Sequence, residues 1–107
     1  MSHQAKLLLL GSVTLAAIVF FVQGCGQYGK VNEATYEYAK ALYSICNRRD
    51  SERLEQCANM IYEAAEKEEL SGTEASYLTG IIEAARNEDW KESLVMSRQL
   101  MVDQLED

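Results

Sequence analysis

The stretch Tyr38–Ala65, YAKALYSICNRRDSERLEQCANMIYEAA, decides the fold of this chain. Tyr38, Ala39, Leu42, Ile45 and Cys46 recur at i, i+1, i+4, i+7 and i+8, which places them on one face of a helix. The polar break NRRD (Asn47–Asp50) ends that face, and Asp50 or Ser51 stands where a second helix needs a cap. Leu54, Cys57, Ala58, Ile61 and Ala65 then repeat the spacing. Two amphipathic helices with so short a connection should lie antiparallel.

The pattern extends outward on both sides. Upstream, Asn32 is a fitting N-cap for the first helix. Downstream, Glu66–Glu69 reads as a solvated face, and Ser71 and Glu74 have the spacing of a capping box. Tyr77, Leu78, Ile81, Ile82 and Ala85 form a third apolar stripe. Asp89 and Glu92 repeat the box spacing ahead of Trp90, Leu94, Ser97, Leu100, Met101 and Leu105, the fourth stripe. The chain has no proline, and after Gly29 its only glycines are Gly72 and Gly80. That composition favours helix over a turn-rich β-fold. The expected class is all-α: an N-terminal hydrophobic helix, then four antiparallel helices arranged as two hairpins.

A faint internal echo runs through the helical part. YAKALYSICNRRDSERL and YLTGIIEAARNEDWKESL align from Tyr38 onto Tyr77. Two hairpins of similar length resemble a pair of tetratricopeptide-like units, and NEDWKESL (Asn87–Leu94) looks like the turn into such a unit's second helix. The resemblance covers roughly 65 residues, while stacked units of this kind usually number at least about three. A plain four-helix arrangement is the other reading of the same stripes.

The chain opens differently. Residues 1–6, MSHQAK, carry one Lys, and Leu7–Val22 is free of charge, interrupted only by Gly11, Ser12 and Thr14. A basic start followed by an apolar run is the layout of a secretory signal peptide. A membrane-spanning helix needs about 20 apolar residues, more than this run supplies. VQGC, Val22–Cys25, resembles the lipobox of bacterial lipoproteins, with Val22, Gly24 and Cys25 matching and Gln23 standing where that family has a small or aliphatic residue. The resemblance implies cleavage between Gly24 and Cys25 and attachment of a diacylglycerol to the Cys25 sulfur. It also implies a membrane-held domain in the cell envelope, facing the periplasm or the exterior. Gly26 is not the aspartate that marks inner-membrane retention in that family, which points to the outer membrane. Two or three acyl chains anchor stably, at about 0.8 kcal/mol per buried methylene. The alternatives are an uncleaved signal anchor and simple cleavage to a secreted form.

The chain then divides into a signal peptide at 1–24, a lipidated tether at 25–32 and an acidic helical domain at 33–106. From Cys25 onward there are nine Lys and Arg against all seventeen Asp and Glu, a net charge of −8. Such a surface repels nucleic-acid phosphates, which sets aside DNA and RNA as partners.

The chemistry on offer is sparse. His3 is the only histidine, so the helical part has no imidazole for general base or metal work. No cofactor is expected, no metal site and no enzyme activity. The carboxylates Glu63, Glu66, Glu68 and Glu69 read as a solvated face, and Trp90 as a core anchor. Cys46 and Cys57 could bond in an oxidising compartment. Their positions, near the end of one helix and well inside the next, leave an axial mismatch of about 7 Å and argue for two buried thiols instead. Among the tyrosines, Tyr36, Tyr43 and Tyr62 fall off the core stripes and are candidates for a partner surface. The expected function is therefore a membrane-anchored, non-catalytic binding or accessory module with a protein partner. The alternatives are a signal-anchored structural subunit of a membrane complex and an inhibitor or immunity-type protein that uses its acidic surface against a cationic enzyme.

Overall fold

A computed structural model of the chain describes residues 28–105. The expected signal peptide, with Gly24 and Cys25, and the start of the expected tether lie outside the described residues. Four helices account for most of the rest: α1 (Glu33–Arg48), α2 (Ser51–Glu66), α3 (Gly72–Arg86) and α4 (Trp90–Asp103). The fold is all-α.

Local sequence explains three of the four starts. Asn32 accepts a hydrogen bond from the Thr35 N–H at 2.8 Å, and Asp50 accepts one from the Arg53 N–H at 3.1 Å. Ser71 and Glu74 form a full capping box: the Glu74 N–H donates to Ser71 Oγ and the Ser71 N–H to Glu74 Oε1. The box expected at Asp89 and Glu92 does not form. Asp89 sits at ψ 63°, outside the extended region that the other three caps occupy, and its side chain caps nothing.

The helices run alternately up and down. The start of α1 meets the end of α2 and the start of α3, because Asn32 donates to the Glu69 carbonyl and to the Glu74 carboxylate. At the other end, Arg86 near the end of α3 reaches Glu55 near the start of α2. The first helix packs most extensively against the last, and α2 and α4 do not meet. That α1–α4 contact closes the arrangement, and small side chains permit it. Ser93 and Ser97 are fully buried, each hydroxyl donating to a carbonyl of its own helix, and Ser93 also meets Cys46 of α1.

Leu42, Ile61, Leu78, Ile81, Ile82 and Leu100 fill the centre with no exposure, and Leu54 joins them at 2%. Three apolar assignments shift. Ala64, not Ala65, is the buried alanine at the end of α2, continuing the seven-residue step from Cys57. Ser93 joins the α4 stripe. Leu105 lies beyond the helix and is 76% exposed. Trp90 is half-buried against the core.

Part of the expected tether is not free. The Tyr28 N–H donates to Asp103 at 2.6 Å, the Gly29 N–H to the Tyr77 hydroxyl, the Val31 N–H to Gln104 and the Asn32 N–H to Glu74. Gln104 returns a bond to the Gly29 carbonyl, and the Tyr28 and Tyr77 rings meet edge to face at 4.8 Å. Residues 28–32 are thus a strap fastened to α3 and α4. A segment without helical pattern adopts one conformation here because its backbone donors find side-chain acceptors far along the chain.

Candidate functional site

A concavity lies along the outer side of the α1–α2 hairpin. It has a volume of about 320 Å³. Its floor is apolar, built by Tyr38, Ala41 and Ile45 from α1 and by Cys57 and Met60 from α2. A smaller hollow of about 130 Å³ shares Tyr38 and Met60 and carries the groove on toward Lys67. Met60 is 59% exposed, a large apolar side chain left in water at the groove. The reason is helical spacing: Met60 falls between Cys57 and Ala64 but one position short of the core residue Ile61.

The groove is edged by charges in a definite order. At one end Asp50 and Arg53 pair at 3.6 Å, and at the other Glu63 and Lys67 pair at 2.9 Å. The Lys67–Glu63 hydrogen bond also holds the Lys67 ammonium above its usual pKa. All four face water substantially. Such exposed pairs add little to folding, so they remain free to engage something else.

Cys46 and Cys57 are free thiols, both buried. Burial pushes the Cys57 thiol up to about 11, with the nearby Cys46 adding to the effect. Burial raises Cys46 as well, opposed by its hydrogen bond with Ser93. At pH 7 a thiol with a pKa of about 11 is ionised to roughly one part in ten thousand. Iodoacetamide should therefore leave Cys46 and Cys57 of the folded chain unmodified over minutes and alkylate both in urea, as read by peptide mass mapping. Fast labelling of the folded chain would contradict their burial.

The three off-core tyrosines do not gather into one patch. Tyr36 and Tyr43, seven residues apart on α1, are half-buried on the flank opposite the groove-lining Tyr38 and Ala41. Tyr62 is exposed but occupied. Its hydroxyl accepts from Arg86 at 2.8 Å, the same guanidinium lies 5.7 Å from its ring centre, and it also grips Glu55 through two nitrogens. That bond with Glu55, followed by Tyr62, raises the Arg86 pKa, and Arg86 in turn holds the Glu55 carboxyl below its usual range. Tyr62 therefore ties α2 to α3, which spacing alone could not reveal. For the groove residues Met60, Arg53 and Lys67 the signal in the sequence is an apolar residue one step off a core stripe, between Arg53 and Glu63, two charges of opposite sign.

Glu74 is the other concentrated polar feature. It is 8% exposed, and its two oxygens separately accept the N–H groups of Ser71 and Asn32, at the starts of α3 and α1. Burial pushes its carboxyl up, but the Ser71 and Asn32 N–H bonds and the Ser71 hydroxyl together hold it below the usual value. The buried Thr35 hydroxyl adds a weaker pull without forming a hydrogen bond of good geometry. Both oxygens of this carboxylate are committed to structure. Among the described residues no group of three or more His, Cys, Asp or Glu is placed to hold a metal ion, and no helix is long and apolar enough to cross a membrane. No protein-family model, curated protein or solved structure matches the chain.

Proposed function

We propose that this chain is an envelope lipoprotein, cleaved before Cys25 and lipidated there, whose helical domain is a non-catalytic protein-docking module. The observation that carries the docking role is the α1–α2 groove, with an apolar floor, a 59%-exposed Met60 and accessible charges at both ends. Exposed apolar surface edged by polar groups is the usual anatomy of a protein contact. The anchoring role rests on the charge-free run Leu7–Val22 and on VQGC at its end.

The test has two parts. An intact mass from native membranes should correspond to a chain starting at Cys25 plus diacylglycerol. A mass starting at Met1 or Ser2 without lipid would replace the lipoprotein with a signal-anchored subunit. A photo-crosslinking residue in place of Met60 should capture protein in those membranes, whereas the same residue at Glu83, an exposed position on α3, should not. Equal capture at the two positions would remove the groove from the reading.

A further inference from the structure

We infer that the α1–α2 groove is an isologous interface, and that the occupant of the groove is a second copy of this chain. The inference rests on the docking reading above and names its partner.

The carrying observation is the order of side chains along the groove edge of α2. From one end it presents Asp50, Arg53, the pair Gln56 and Cys57, Met60, Glu63 and Lys67. The sequence of charge is minus, plus, apolar centre, minus, plus. A two-fold contact brings the same surface of each copy together, and with its axis perpendicular to α2 the two α2 helices run antiparallel. Centred near residues 58 and 59, that contact sets Met60 of each copy against Gln56 and Cys57 of the other. The same register brings Arg53 opposite Glu63 and Asp50 opposite Lys67. All three matches arise at one register, and every charge meets its opposite. A parallel, in-register pairing would instead set each charge against its own kind.

The intrachain pairs Asp50–Arg53 and Glu63–Lys67 do not have to break, since each becomes half of a four-charge cluster. Two such clusters flank the two methionines. Charge order of this type sets partner choice and register more than raw affinity. Met60 supplies the adaptable apolar contact. One groove is narrower than the roughly 800 Å² per partner of a standard interface. Association therefore belongs on a membrane, where anchoring raises the effective concentration.

The experiment uses the full chain in phosphatidylcholine vesicles, labelled at the C-terminus with donor or acceptor dyes, and reads energy transfer against protein density. Wild type should show density-dependent transfer. Arg53→Glu and Glu63→Arg should each weaken self-association roughly tenfold or more, because each sets like charges together twice. Mixing the two variants should restore transfer, since Glu at 53 then meets Arg at 63 and the native Arg53 meets the native Glu63. The double variant should restore it alone. Both positions are exposed, and unchanged circular dichroism would show that the variants fold. Absence of transfer in wild type, or reversals without effect, or failure of the mixture to complement, overturns the inference. If transfer is absent while the crosslinker at position 60 captures a different protein, the docking reading stands and the second copy is excluded. If neither signal appears, both fall.

Discussion

Replacing Glu74 by alanine should destabilise the domain by about 3 kcal/mol, the sum of a lost N-cap interaction of about 1 kcal/mol and a buried N–H left without an acceptor. One side chain has this effect because it serves two helix starts at once. Oε1 takes the Ser71 N–H of the α3 box, and Oε2 takes the Asn32 N–H where the strap turns into α1. Glutamine should recover only part of the loss, since its amide nitrogen must then face one of two N–H donors. In a domain of this size 3 kcal/mol corresponds to a fall in Tm of roughly 15 °C.

The pH dependence carries a matching signature. The folded carboxyl titrates below its unfolded value. Its contribution is therefore fully present above the ordinary glutamate range of about 4.3 and is lost as pH falls through the lower, folded value. Urea melts between neutral pH and pH 3 should show a shallower acid decline in Glu74→Ala than in wild type. Parallel acid limbs would mean that Glu74 contributes no linkage.

The second large effect has the opposite sign. Each turn between helices places a residue with a side chain in the left-handed region: Arg49 at φ 52°, Glu68 at φ 60° and Glu88 at φ 62°. In all three, the N–H after the left-handed residue closes on the same type of carbonyl: Asp50 on Ile45, Glu69 on Ala64 and Asp89 on Ala84. This is the Schellman closure, for which glycine is the usual residue. A side chain there costs about 1–2 kcal/mol, and glycine gives back about 0.5–1 kcal/mol through unfolded-state entropy. Arg49→Gly, Glu68→Gly and Glu88→Gly should each stabilise by about 1 kcal/mol, and the triple variant by about 3 kcal/mol if the separate turns add. The urea midpoint should rise with an unchanged slope. Alanine at the same positions keeps the Cβ, so it should not stabilise. A gain with alanine equal to that with glycine would trace the effect to charge, and no gain with glycine would refute the strain.

Much of the fold was legible because it is local. Asn32, Asp50 and the Ser71–Glu74 box are read from neighbours three residues apart, and the stripes from Ala39 to Leu100 follow from the helical period. What could not be read depends on distant partners. Ser93 is buried because α4 approaches α1 closely. Tyr28–Asn32 looked like a tether because its acceptors, from Glu74 to Gln104, lie 42 to 75 residues away. The candidate site suffered in the same way. Off-stripe tyrosines are a sound prompt for a surface, but Tyr62 is spent on Arg86, whereas Met60 drew no notice as a near neighbour of Ile61.

The strap also decides how this protein can be handled. With Tyr28 bonded to Asp103, the described chain begins and finishes at one end of the bundle, and the turns at residues 49–50 and 87–89 stand at the far end. An epitope spliced into residues 87–89 would stand at the opposite end of the bundle from the strap. Pulling on the N-terminal side would load α3 and α4 through the strap before α1 felt any strain, making this short stitched segment the point where such a load enters the domain.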